Sequence, residues 1–165
     1  MKNQIKGEKL IATNPSARAN YFIEEVVEAG IVLTGTEVKS LRAHGPNLKE
    51  SFVEVRARGN AAEAFLVHVH IAPYSHGNIW NHDPLRSRKL LLHRHQLNKM
   101  FGAVTQLGQV IIPTRMYFKE GVAKIEVALC KPKKKHDKRA AVQQRSDDRE
   151  VSQAMKQNRR TLSEE

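Results

Sequence analysis

In EAFLVHVHI the apolar residues Phe65, Val67, Val69 and Ile71 fall at every second position, the period of a strand with one face in a core. SFVEVRAR precedes it across Gly59-Asn60-Ala61-Ala62, so the two runs predict a hairpin. QVIIPTRMYF carries Val110, Ile112, Met116 and Phe118 on one face. After a turn at Lys119-Glu120-Gly121, AKIEVAL points Ala123, Ile125, Val127 and Leu129 inward and Lys124 and Glu126 outward. Near the start, ANYFIEEVVEAGIVLTG reads as another pair of strand runs, broken at Ala29-Gly30.

Two stretches carry the longer helical period instead. HRHQLNKMFGAVTQLG spaces Leu97, Met100, Phe101, Val104 and Leu107 along one helix face, and Gly108 stops it. TEVKSLRA is shorter; Thr34 and Glu37 open it at capping-box spacing and Gly45-Pro46 ends it. About six short antiparallel strands with helices between them predict a mainly β fold. The expected form is an OB-fold-like Greek-key antiparallel β-barrel with two or three helices, because closure removes exposed strand edges.

Charge divides the chain further. Residues 131–165 hold 11 lysines and arginines against 6 acids, and all nine aromatic residues lie between Tyr21 and Phe118. The sequence therefore predicts a polar leader over 1–12, a barrel over 13–130 and a basic tail over 131–165 that is disordered when free. At 165 residues one domain is expected. A net charge of +11 and a pI near 10 make a polyanion the expected partner, nucleic acid or an acidic membrane. No run approaches 18 apolar residues and the N-terminus lacks the apolar centre of a signal peptide, so membrane insertion and secretion are not expected. The single cysteine, Cys130, fits a reducing cytoplasm and has no evident base partner, which makes it a packing residue rather than a nucleophile.

The histidines raise metal chemistry, with His68 and His70 on one strand face and His93 beside His95. A third ligand at recognisable spacing is missing, as are Walker, nucleophile-elbow and dinucleotide patterns. No metal, cofactor or catalytic residue is therefore expected. HDPLRSRKLLLH is more informative. Arg86 and Arg88 share a face in an extended segment, with Lys89 next to them, and this spacing suits successive phosphates. Lys39 and Arg42 form a second basic pair one helical turn apart, and Arg18 adds a third basic element.

NPSARANYFIEEVVEAGIVLTGTEVKSLRAHGPNLKESFV, HDPLRSRKLLLHRHQL and KKKHDKR, in order and at normal spacing, closely resemble the SsrA-binding protein (small protein B) family. The resemblance implies a barrel that binds the tRNA-like domain of transfer-messenger RNA and brings it to stalled ribosomes for trans-translation. It implies a tail in the empty mRNA channel, near the decoding centre and the small-subunit rRNA. It also places Asn14, Glu28 and Leu91 at RNA-binding positions and His136, Asp137, Lys138 and Arg139 in the decoding segment, with Lys134 just before it. Pro132 stands where the family commonly has glycine. Within the tail, Lys138, Arg145, Arg149, Lys156 and Arg160 are spaced seven, four, seven and four apart, one face of a helix. That stripe predicts a helix from about Ala140 on the ribosome and coil in free solution. The protein is expected to be a cytoplasmic monomer with no membrane partner. Two other functions compete with this reading: a general ribosome-associated OB-fold RNA chaperone, and a metal-dependent nuclease built on the histidines.

Overall fold

The structure, a computed structural model, describes residues 7–59 and 61–134. The tail positions His136, Asp137, Lys138, Arg139, Arg145, Arg149, Lys156 and Arg160, together with the helix expected from Ala140, lie outside the described residues.

Among the described residues seven strands and three α-helices follow one another. They are β1 (Glu8–Thr13), α1 (Pro15–Asn20), β2 (Tyr21–Ile31), α2 (Gly35–Ala43), β3 (Phe52–Arg58), β4 (Ala61–Val67), β5 (Arg88–Leu91), α3 (Arg94–Leu107), β6 (Val110–Lys119) and β7 (Val122–Pro132). The strands pair antiparallel in the order β1-β6-β3-β4-β5-β2-β7, and a further pairing of β6 with β7 closes the ring. β6 can complete the circle because one of its edges serves two strands: Ile111 meets Val53 of β3, and Arg115 to Lys119 meet β1. Closure leaves few unpaired edges to template aggregation.

Local chemistry explains the turns and helix ends. Glu120 and Gly121 both take positive φ (51° and 81°), the conformation that a two-residue hairpin between β6 and β7 requires. Thr34 and Glu37 form the capping box of α2, and Gly108 ends α3 in the left-handed conformation. β7 puts Ala123, Ile125, Val127 and Leu129 into the main core, as its alternation predicts.

Several expectations need correction. The leader does not extend to residue 12, because Glu8–Thr13 pairs with β6 and belongs to the barrel. Ala19 and Asn20, the start of a run expected as strand, instead end the short helix α1, whose proline sits in the first turn, where the missing N–H costs nothing. β2 runs unbroken through Ala29-Gly30. Strand parity also switches twice. In β4 the core takes Ala64 and Leu66 while Phe65 faces outward beneath Arg56, whose guanidinium lies 4.9 Å from the ring centre. His68 then adopts φ 59°, and the half-turn it inserts returns Val69 and Ile71 to the core. In β6 a bulge between Pro113 and Arg115 does the same. Ile111, Met116 and Phe118 enter the main core, and Ile112 joins Ala17, Ala128 and Cys130 in a smaller cluster.

Candidate nucleic-acid interface

Three neighbouring strands build the outer wall of interest. Gly30 of β2 sits opposite Leu91 of β5 on one side and Lys124 of β7 on the other. Glu28 lies two residues before Gly30 and Lys89 two before Leu91, so all five share one face. Gly30 is a notch in this row. A Cβ there would come within 3.2 Å of the Leu91 Cβ, so the absent side chain lets β5 approach closely and leaves Leu91 standing 56% exposed. The result is a cleft of about 500 Å³, which His93 also lines.

The electrostatics of the cleft are mixed. Glu28 accepts Lys124 Nζ at 2.5 Å and the Tyr117 hydroxyl, with Lys119 3.9 Å away. The Lys124 bond, followed by the Tyr117 bond, holds the Glu28 carboxyl below its ordinary pKa. Burial, aided by the bond to Glu28, pushes the Tyr117 phenol well above its own. Glu28 is thus a fixed, ionised acceptor. Across the cleft Lys89 Nζ bonds Glu63 at 2.6 Å and remains 43% exposed. Two ammonium groups, two carboxylates and one exposed leucine on a rigid wall suit a ligand carrying phosphates, hydroxyls and an unstacked apolar ring face. RNA loops have this chemistry.

The other predicted residues do not join this cleft. Arg88 is fully buried and cannot reach a phosphate, contrary to the reading of HDPLRSR as a phosphate-binding face. Its Nε bonds Glu37 Oε1 at 2.8 Å, and its remaining donors bond the carbonyls of Val69, Arg86 and Pro84. Arg86 also turns to Glu37, through Nε at 2.8 Å and Nη2 at 2.5 Å, and to the Val32 carbonyl. The two arginines do point the same way, but inward.

Asn14 is buried; its amide donates to the Pro113 carbonyl and its backbone N–H to the Thr114 carbonyl, which secures the bulge of β6. It lines a separate hollow of about 720 Å³ with Tyr21, Phe52 and Gln109. Lys39 and Arg42 are exposed on α2, stacked over Tyr74 (5.6 Å) and Phe118 (5.8 Å), and Arg18 is exposed on α1. Lys134 is exposed beyond β7.

Sequence reasoning set Lys124 outward without giving it a role, and it missed Tyr117 and Glu63. Lys124 was detectable, as the outward cation of a regular strand, but its position opposite Gly30 depends on register. Among the described residues no three histidines, cysteines or acids gather as a metal site, and no helix is long and apolar enough to cross a membrane.

The fold and this wall define a closed antiparallel barrel bearing a cleft of mixed charge. The SmpB protein family model matches residues 11–157, and the chain belongs to that family. It is 50% identical over 156 residues to an SsrA-binding protein of Enterococcus faecalis, covering 94% of this chain and 99% of that one. It is 51% identical over 154 residues to an SsrA-binding protein of Pelobacter propionicus, covering 93% and 99%. A solved structure described as "tmRNA-SmpB: a journey to the center of the bacterial ribosome" contains a chain 42% identical to this one. The TM-score is 0.61, and the match covers 79% of this chain and 93% of that one.

Proposed function

We propose that this protein binds the tRNA-like domain of transfer-messenger RNA and brings it to stalled ribosomes for trans-translation in the bacterial cytoplasm. The observation that carries the reading is the row Leu91–Gly30–Lys124 beside Glu28, in a chain half identical to proteins named for binding SsrA. Glu28 and Leu91 read the RNA, the first by accepting hydrogen bonds and the second by packing on an unstacked base. Lys124 and Lys89 supply phosphate attraction. The tail over 131–165 occupies the empty mRNA channel. The protein acts by binding and positioning, not by catalysis.

Two measurements test this. A labelled tRNA-like-domain transcript should bind in the presence of excess bulk tRNA; equal competition by bulk tRNA would favour the general RNA chaperone. A chain ending at Lys134, beyond the last residue of β7, should keep most of that affinity and lose peptide tagging on stalled ribosomes. Loss of RNA binding on that truncation would refute the assignment of recognition to the barrel.

A further inference from the structure

The segment between Ile71 and Arg88 is held far more firmly than a surface connection needs. At its neck Arg88 bonds the carbonyls of Val69 and Pro84, the two ends of the excursion, and Glu37 holds both Arg86 and Arg88. The Ile71 N–H closes the same neck by donating to the Pro84 carbonyl. Higher up, His82 bonds Thr36 Oγ1 and the Ile71 carbonyl, while Ser40 Oγ donates to the Ala72 carbonyl. Asn81 then pins the tip from within. Its Oδ1 accepts the Tyr74 N–H at 3.1 Å and its Nδ2 donates to the Tyr74 carbonyl at 2.8 Å. Gly77 packs so close to this amide that a Cβ there would lie 2.7 Å from Nδ2.

This scaffold presents a 3-10 turn, Asn78–Trp80, whose Ile79 and Trp80 are 88% and 83% exposed. Among the described residues the Trp80 indole has no hydrogen bond or ring contact. Lys39 stands over Tyr74, to which Asn81 ties the turn, and so puts a cation at its foot, while the exposed Asp83 carboxylate lies farther along the loop.

We infer that this loop is a preorganised arm, and that Trp80 stacks on an unpaired base of the RNA that fills the cleft. The neck runs directly into β5, where Arg88 is followed by Lys89 and Leu91 of the cleft wall, so the arm is continuous with that interface. An indole held at the end of a fixed loop loses little freedom on binding. Every base offers it a π-face, and Lys39 supplies the adjacent phosphate attraction. The inference rests on the RNA-binding reading above.

Trp80 is the chain's only tryptophan, so its fluorescence reports on this arm alone. The full chain is titrated with a tRNA-like-domain transcript, with binding followed independently by anisotropy of end-labelled RNA. Stacking predicts that emission excited at long wavelength is strongly quenched in step with binding. Trp80→Ala should bind about tenfold more weakly and Trp80→Phe within about threefold of the parent, both melting like the parent because the side chain is exposed. Binding without quenching, or Trp80→Ala as tight as the parent, would overturn the arm while leaving the cleft intact. A cross-link from a photoreactive residue at position 80 to protein instead of this RNA, in the complex on ribosomes, would also overturn it. No binding of the transcript by the parent chain would sink both the arm and the RNA reading.

Discussion

Glu37 and Glu28 both face two cations, yet they do opposite work. Glu37 is fully buried and receives four donors: Arg86 twice, Arg88 once and the Thr34 N–H at 2.8 Å. Burial opposes its ionisation more than any other influence. The two arginines and the Thr34 N–H outweigh it together, and its pKa ends below the ordinary carboxylate value. Glu28 keeps 38% of its side chain in solvent, where its lysine partners can exchange for water or for a ligand. The same charge arithmetic therefore gives a structural clamp in one place and an exchangeable recognition site in the other. Desolvation makes the difference.

The largest effect should come from breaking the buried set. Glu37→Ala leaves two guanidinium groups without their carboxylate and should cost about 3–5 kcal/mol in urea unfolding. Glu28→Ala should cost under about 1 kcal/mol by the same assay. Equal losses would erase the distinction. Acid sharpens it next. Because the Glu37 pKa is lowered from 4.5, its stabilisation is complete above about pH 4.5 and is withdrawn as pH falls through the lower, folded-state value. Glu37→Gln should flatten the stability profile over that acid range; Glu28→Gln should flatten it less, because solvent screens its lysine partners.

Binding reverses the ranking of the two sites. Glu28→Ala removes negative charge facing a polyanion, so attraction alone predicts tighter RNA binding. A direct hydrogen bond predicts a loss of about 1–3 kcal/mol. We expect the loss, measured by titration at two salt concentrations; tighter binding would remove Glu28 from the interface. Gly30→Ala comes last. The new methyl would meet the Leu91 Cβ at 3.2 Å, which no rotamer change relieves, so β2 and β5 must part by a few tenths of an ångström and stability should fall by about 1 kcal/mol. RNA affinity should still fall severalfold because the notch is filled. A large stability loss with normal binding would show that Gly30 serves packing alone.

Legibility in the sequence followed the range of the interactions. The inward residues of β7, the capping box of α2 and the stop of α3 at Gly108 depend on neighbours a few positions away and were readable. Phe65 and Ile112 were set on the wrong face because His68 and the β6 bulge shift the alternation, and nothing in their side chains announces a positive φ or an extra residue. Arg88 looked like a phosphate ligand because its carboxylate partner is 51 positions away. Glu28 and Leu91 were reached through family resemblance. Their convergence on Gly30, with Lys124, depends on strand register, which composition does not encode.

The smaller core cluster has a practical consequence for measurement. Cys130 is wholly buried and bonds the Ala128 carbonyl; burial first, and then the Glu24 charge, push its thiol up to about 11. At pH 7.5 about 0.03% of it is thiolate, against about 9% for an ordinary exposed cysteine. A maleimide dye should thus ignore the native thiol and react at a cysteine introduced at the exposed Lys134. With that one added cysteine the chain becomes a singly labelled reporter, its barrel unaltered, for testing whether the tail engages the ribosome.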